Sequence, residues 1–108
     1  MAFKLIKRNT VIVPVKGVRS DEAGGTERFE FSLVCKRLDQ KQINEAFEGR
    51  TVDEFLHHVT EGWRTVLDAE GQPLTFCTET LTELLREPGV SKLAFSAYLR
   101  EVEAREKN

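Results

Sequence analysis

The chain is predicted to be α+β: an N-terminal β-hairpin packed on a mainly α-helical domain of about four helices. Two observations predict this. Through the first third the apolar residues recur with a period of two, as on a half-buried strand, and from Asp39 onward they recur with a helical period. The second half is also punctuated at Gly71, Pro73 and Pro88-Gly89, which divides it into short helices.

Taken in order, Val11, Val13 and Val15 alternate, as do Phe29, Phe31, Leu33 and Cys35, with Arg28, Glu30 and Ser32 between them. Residues 17–26, GVRSDEAGGT, are read as a mobile loop, long for a hairpin. Pro14 has no N–H to donate, so its strand belongs on an edge or carries a bulge. A lone two-stranded hairpin is marginal in water, so its apolar face must cover the helices that follow.

Helices are expected near 39–47, 51–67, 78–87 and 91–105. Asp39 can cap the first, which places Ile43, Ala46 and Phe47 on one face before Gly49 stops it. Thr51 and Glu54 form a capping box for the second. Behind it Val52, Phe55, Leu56, Val59, Trp63, Val66 and Leu67 follow helical spacing, which puts Trp63 on the buried face of one continuous helix. Gly62 within that run costs about 1 kcal/mol relative to alanine and implies a close backbone approach or a slight kink. Gly71 suits a left-handed conformation after the helix ends. Cys77 or Thr78 caps the third helix, whose apolar face is Leu81, Leu84 and Leu85, and Ser91 opens the last.

At 108 residues the chain forms one domain, residues 1–108, with 1–9 and 104–108 expected to fray. Its 40% hydrophobic and 31% charged content fit a soluble globular protein. A net charge of -2 supplies no basic stripe for nucleic acid. No apolar run approaches a membrane span, and MAFKLIKRNT lacks the features of a signal peptide, so a cytoplasmic protein is expected. Cys35 and Cys77 are then expected to be free thiols.

Residues that could carry chemistry are few. Adjacent His57 and His58 would point about 100° apart on a helix and cannot chelate one metal together. Glu54 and His58 share a face but lack the further ligands that a metal site needs. Cys35 falls on the apolar face of a strand as a small buried hydrophobe, and Cys77 stands at a helix start in a capping or packing role. With no phosphate loop, paired catalytic carboxylates or nucleophile elbow, no catalytic, cofactor-binding or metal-binding residue is predicted, and an enzyme is not expected. The oddity is the last helix, where Phe95, Tyr98, Leu99 and Val102 widen the apolar arc well beyond a surface helix's usual stripe. Either that helix is central and packed on both sides, or these four residues form a partner-binding face. On the second reading, Tyr98→Glu or Val102→Glu leaves a folded monomer that no longer associates.

An ordered set of residues carries a resemblance. Asp53-Glu54-Phe55-Leu56, Gly62-Trp63, Val66, Asp68, Gly71, Pro73-Leu74, Phe76, Leu84-Leu85, Pro88-Gly89-Val90, Ala97-Tyr98 and Lys107-Asn108 together resemble the tail assembly chaperones of long-tailed, siphovirus-like bacteriophages and prophages. The resemblance spans roughly residues 27 to 108 and includes Thr10 to Lys16 only loosely. It implies a non-structural protein of the host bacterial cytoplasm that binds and solubilises the tape measure protein, helps to recruit tail tube protein, self-associates, and is absent from the mature virion. It supplies no catalytic residues and no cofactor. The alternatives left open by the residues are a structural tail-completion or neck protein and a small regulatory protein-binding module.

Overall fold

A hairpin whose strands carry apolar residues at every second position can bury only one face, and the helices are gathered on that face. The computed structural model describes Ala2, Phe3, Leu5 and residues 9–103. Strands β1 (Thr10–Ser20) and β2 (Thr26–Lys36) pair antiparallel without interruption, from Thr10↔Lys36 to Ser20↔Thr26. Most of the expected loop at 17–26 is therefore strand, and only Asp21 to Gly25 turns. Asp21 closes that turn: its Oδ1 accepts the Ala23 N–H at 2.9 Å and the Gly25 N–H at 2.8 Å. Cross-strand partners such as Arg19 and Glu27, 2.6 Å apart, extend the ladder through a stretch with little apolar alternation.

The hairpin is joined by a third strand, in the order β1-β2-β3. Helix α1 (Gln40–Phe47) is capped by Asp39 and α2 (Val52–Val59) by the Thr51–Glu54 box, both as expected, and Gln42 completes a second capping box at α1. The second helix, however, does not continue to Leu67. It ends at Val59, and β3 (Thr60–Arg64) adds to β2 antiparallel, with Val34↔Gly62, Leu33↔Trp63 and Ser32↔Arg64. The physical reason lies in Thr60, Gly62 and Thr65, poor helix formers, set beside a strand edge that needs a partner. Gly62 is not a tight contact, since a Cβ there would lie 3.9 Å from Val34 Cβ. Trp63 keeps its inward orientation on a strand: its Nε1–H donates to the Leu74 carbonyl at 2.8 Å, and its ring meets Phe76 edge-on at 5.1 Å. Gly71, at φ +78, allows the turn that returns the chain to this contact.

Helix α3 (Thr78–Leu85) is entered at Cys77, whose N–H donates to Thr80 Oγ1 at 2.9 Å. Gly89, at φ +84, sets the corner before α4 (Val90–Val102), which begins one residue before Ser91. The helix ends at Val102, with Glu103 extended at ψ 137, short of the expected 105; residues 104–108 and most of 1–9, expected to fray, lie outside the described residues.

Val13, Val15, Leu33, Cys35, Phe55, Leu56, Val59, Leu81 and Tyr98 form the centre of the core between sheet and helices. Phe55 is ringed by Phe47 at 4.6 Å, Tyr98 at 5.4 Å and Phe95 at 5.7 Å. Gly17 leaves no room for a side chain: an added Cβ would lie 2.5 Å from Phe29 Cζ of the neighbouring strand and 2.8 Å from Leu93 Cδ1 of α4. Gly17→Val is expected to cost about 1–3 kcal/mol by overpacking, read as a lower urea midpoint with an unchanged slope.

The hydrogen-bond parity of the hairpin follows from its two ends. Asp21 N–H donates to Gly25 O and Arg37 N–H donates to Asn9 O, both at odd-numbered pairs of one continuous register. Odd residues of β2 therefore exchange bonds with β1, and even residues direct their N–H and C=O groups to the other edge. Pro14, opposite Ser32, falls at an even position on the edge strand, where its missing N–H costs the ladder nothing.

Candidate partner-binding surfaces

The four residues of the last helix singled out from the sequence do not form an open face. Tyr98 is fully buried, and its hydroxyl donates to the Lys36 carbonyl at 2.8 Å and accepts the Leu38 N–H at 3.3 Å. It is a strut between α4 and the end of β2, with no surface to offer a partner in this conformation. Phe95 is half-buried, its ring 4.9 Å from Phe47 in an edge-on contact. Leu99 and Val102 are half-buried and packed against the core. The wide apolar arc thus belongs to a helix packed on several sides, the first of the two readings above. The sequence could not separate them because it does not show that α4 is flanked by β1, α2 and α3 together.

The polar candidates are accounted for locally. His57 Nε2 lies 3.1 Å from Thr82 Oγ1, which ties α2 to α3. His58 is exposed, and its pKa is lowered, first by partial desolvation and then by the charges of Arg50 and Lys36. Cys35 is buried 3.8 Å from Thr60 Oγ1, and burial raises its thiol pKa to about 11. Such a thiol stays protonated and is a poor nucleophile at neutral pH. Cys77 is also a free thiol. Among the described residues no group of three or more His, Cys, Asp or Glu side chains could hold a metal ion. No described helix is long and apolar enough to cross a membrane.

Two surfaces that the sequence reading missed are more open. The face of the sheet turned away from the helices carries Ile12 directly opposite Val34, with Pro14 and Val18 on the same side. Ile12 is 38% and Val18 60% exposed, so this face displays apolar side chains to solvent. The signal was present in Val11-Ile12-Val13, where an apolar residue occupies the parity reserved for solvent. The second surface is a cleft of about 540 Å³ beside β2, floored by Phe29, Phe31, Val66, Leu84 and Val90 and rimmed by Glu30 and Glu87. It exists because β3 stops pairing at Ser32↔Arg64, after which Thr65, at φ 65, turns the chain away. Set beside protein-family models, curated proteins and solved structures, the chain matches none.

Proposed function

We propose that the chain is a non-enzymatic tail assembly chaperone of a long-tailed bacteriophage or prophage, acting in the host bacterial cytoplasm. It binds the tape measure protein, keeps it soluble until tube subunits are recruited, and does not remain in the virion. The observation that carries this reading is the ordered residue set from Asp53 to Tyr98. Its members are the parts that hold this small scaffold together: Trp63 on the Leu74 carbonyl, Gly71 and Gly89 at the corners, and Phe55 against Tyr98 at the centre. A partner that is long and apolar calls for a broad, shallow contact repeated many times, not one enclosed pocket. The helix-free sheet face with Ile12, Pro14, Val18 and Val34 has that character, and it is the surface we assign to the tape measure protein.

Co-expression with the tape measure protein encoded beside the chain tests the reading. The tape measure protein is expected in the soluble fraction only when the chain is present, and Ile12→Glu with Val18→Glu is expected to return it to the pellet. Both side chains lie on the sheet face away from the core, Val18 60% and Ile12 38% exposed, so the double variant is expected to stay folded, read as a retained cooperative urea transition. A tape measure protein equally insoluble with and without the wild-type chain would overturn the proposal. Stoichiometric amounts of the chain in purified particles would point instead to a structural tail component.

A further inference from the structure

Three even-numbered residues of β2, Thr26, Arg28 and Glu30, direct their backbone N–H and C=O groups toward the side where β3 has already departed. Among the described residues no backbone group pairs with them there. Such an edge is a template for another strand, and proteins usually blunt it with a bulge, a proline or a cover. The outer edge of β1 carries Pro14, whereas this stretch of β2 carries none of the three. Along its helix-facing side runs a groove in two parts. The apolar cleft floored by Phe29, Val66 and Leu84 forms one end, and Glu87 joins it to a second hollow of about 600 Å³ at the hairpin tip. That hollow is lined by Asp21, Glu22, Glu27 and Glu87 against a single base, Arg19, which Glu27 already holds at 2.6 Å. Arg28 stands on the other face of the sheet, in neither hollow, and has no ion-pair partner among the described residues.

We propose that this edge takes up, as an added strand, a short extended segment of another protein in which a large apolar residue is followed by an acidic and then a basic one. Run antiparallel to β2, in line with β3, the segment fills the places opposite Glu30 to Thr26, and stops short of Arg64 at Ser32. The residues opposite Glu30, Arg28 and Thr26 exchange backbone bonds with them. The residue opposite Phe29 points to the helix side, so its apolar side chain enters the cleft. The residue opposite Glu27 shares that face, so a lysine or arginine there meets the carboxylates of Glu27 and Glu87. Between these two, the residue opposite Arg28 stands on the open face, where an aspartate or glutamate pairs with the free guanidinium. Main-chain bonds supply the affinity, and side chains alternating between the two faces supply the selection. A large apolar residue, an acid and a base occur in that order nowhere in these 108 residues, so a different protein supplies the segment. The site is separate from the Ile12–Val18 face and does not depend on the tail-chaperone reading.

Titration calorimetry of the full-length chain with a capped synthetic peptide, Thr-Leu-Glu-Lys-Thr, tests the proposal. Saturable one-to-one binding is expected. The order-swapped peptide Thr-Lys-Glu-Leu-Thr has the same composition and is expected to bind about tenfold more weakly. Backbone parity gives a second contrast that leaves every side chain in place. N-methylation of the central glutamate removes the N–H that reaches the Arg28 carbonyl and is expected to weaken binding about tenfold. N-methylation of the leucine, whose N–H points away from β2, is expected to change affinity by less than about twofold. On binding, amide hydrogen exchange should slow at Arg28 and Glu30. The proposal is overturned by no saturable binding at about 1 mM peptide, by equal affinities for the two orders, or by equal losses from the two N-methylations. Protection at Lys16 and Val18, on the β1 edge, in place of Arg28 and Glu30 overturns it as well.

Discussion

Tyr98→Glu is expected to unfold the domain. The side chain is fully buried, its ring lies 5.4 Å from Phe55, and its hydroxyl bridges the Lys36 carbonyl and the Leu38 N–H. Removing a buried aromatic costs about 3–5 kcal/mol through lost transfer energy and the cavity left behind. A carboxylate in that cavity adds its own desolvation, and it cannot donate to Lys36 O as the phenol does. The total stability of a domain this size is about 5–15 kcal/mol, so little or none remains. Tyr98→Phe separates the two contributions: it keeps the ring, leaves one carbonyl and one N–H unpaired, and is expected to cost about 1–3 kcal/mol. Loss of the near-ultraviolet dichroism and of the cooperative urea transition in Tyr98→Glu, with a shifted but intact transition in Tyr98→Phe, is the expected result. A folded Tyr98→Glu monomer would show that α4 can leave the sheet and would restore Tyr98 as a contact for a partner.

That contrast shows where the sequence was legible. Strand parity placed Val13, Val15, Phe31, Leu33 and Cys35 inside, and all five are buried. Capping chemistry placed the starts of α1 and α2, because Asp39 and Thr51 accept from amides within their own turns and need no distant partner. Readings failed where the deciding partner lay far away in sequence. Val59, Trp63 and Val66 have helical spacing, yet the edge of β2 at Ser32–Cys35 claims Thr60–Arg64 as a strand. Gly62 and the two threonines were the local warning, since a strand tolerates them better than a helix does. The hairpin residues 17–20 looked like loop because the pairing that orders them is cross-strand, through Arg19 and Glu27, and not apolar alternation. The candidate surface moved for the same reason. An apolar arc on α4 has one meaning beside solvent and another when β1, α2 and α3 all lie against it.

The relocation also bears on how so small a domain could hold a large partner. The core is spent on joining sheet to helices, and the aromatic residues that might have served as anchors, Phe47, Phe55, Phe95 and Tyr98, contact one another. The large apolar side chains that remain outside are scattered: Ile12 and Val18 on the open sheet face, Leu67 beside the cleft, Leu93 on α4, and Phe3 and Leu5 before β1. Each copy can therefore contribute only a modest contact, and strong binding to a long partner would come from many copies held together.

The second large effect is on alkaline stability, and it arises from Cys35. Burial raises its thiol pKa from 9.0 to about 11, partly offset by the Thr60 hydroxyl and reinforced by the charge of Glu61. In the unfolded chain the thiol ionises near its ordinary value, whereas the folded state holds its proton until about pH 11. Between these two values the native state binds more protons, so stability falls as pH rises. The contribution is fully present below the unfolded pKa and is lost as pH passes through the folded one, a change of about 3 kcal/mol for a two-unit shift. Tyr98 acts in the same direction at somewhat higher pH, because burial raises its pKa as well. Urea midpoints measured from neutral pH to pH 11 should therefore decline steeply above pH 9 in the wild type. Cys35→Ala should start lower at neutral pH because of the cavity it leaves, and then decline less over that interval, retaining the part due to Tyr98. Parallel curves for the two proteins would mean that the Cys35 thiolate is accommodated in the folded state, beside the Thr60 hydroxyl where β3 meets β2.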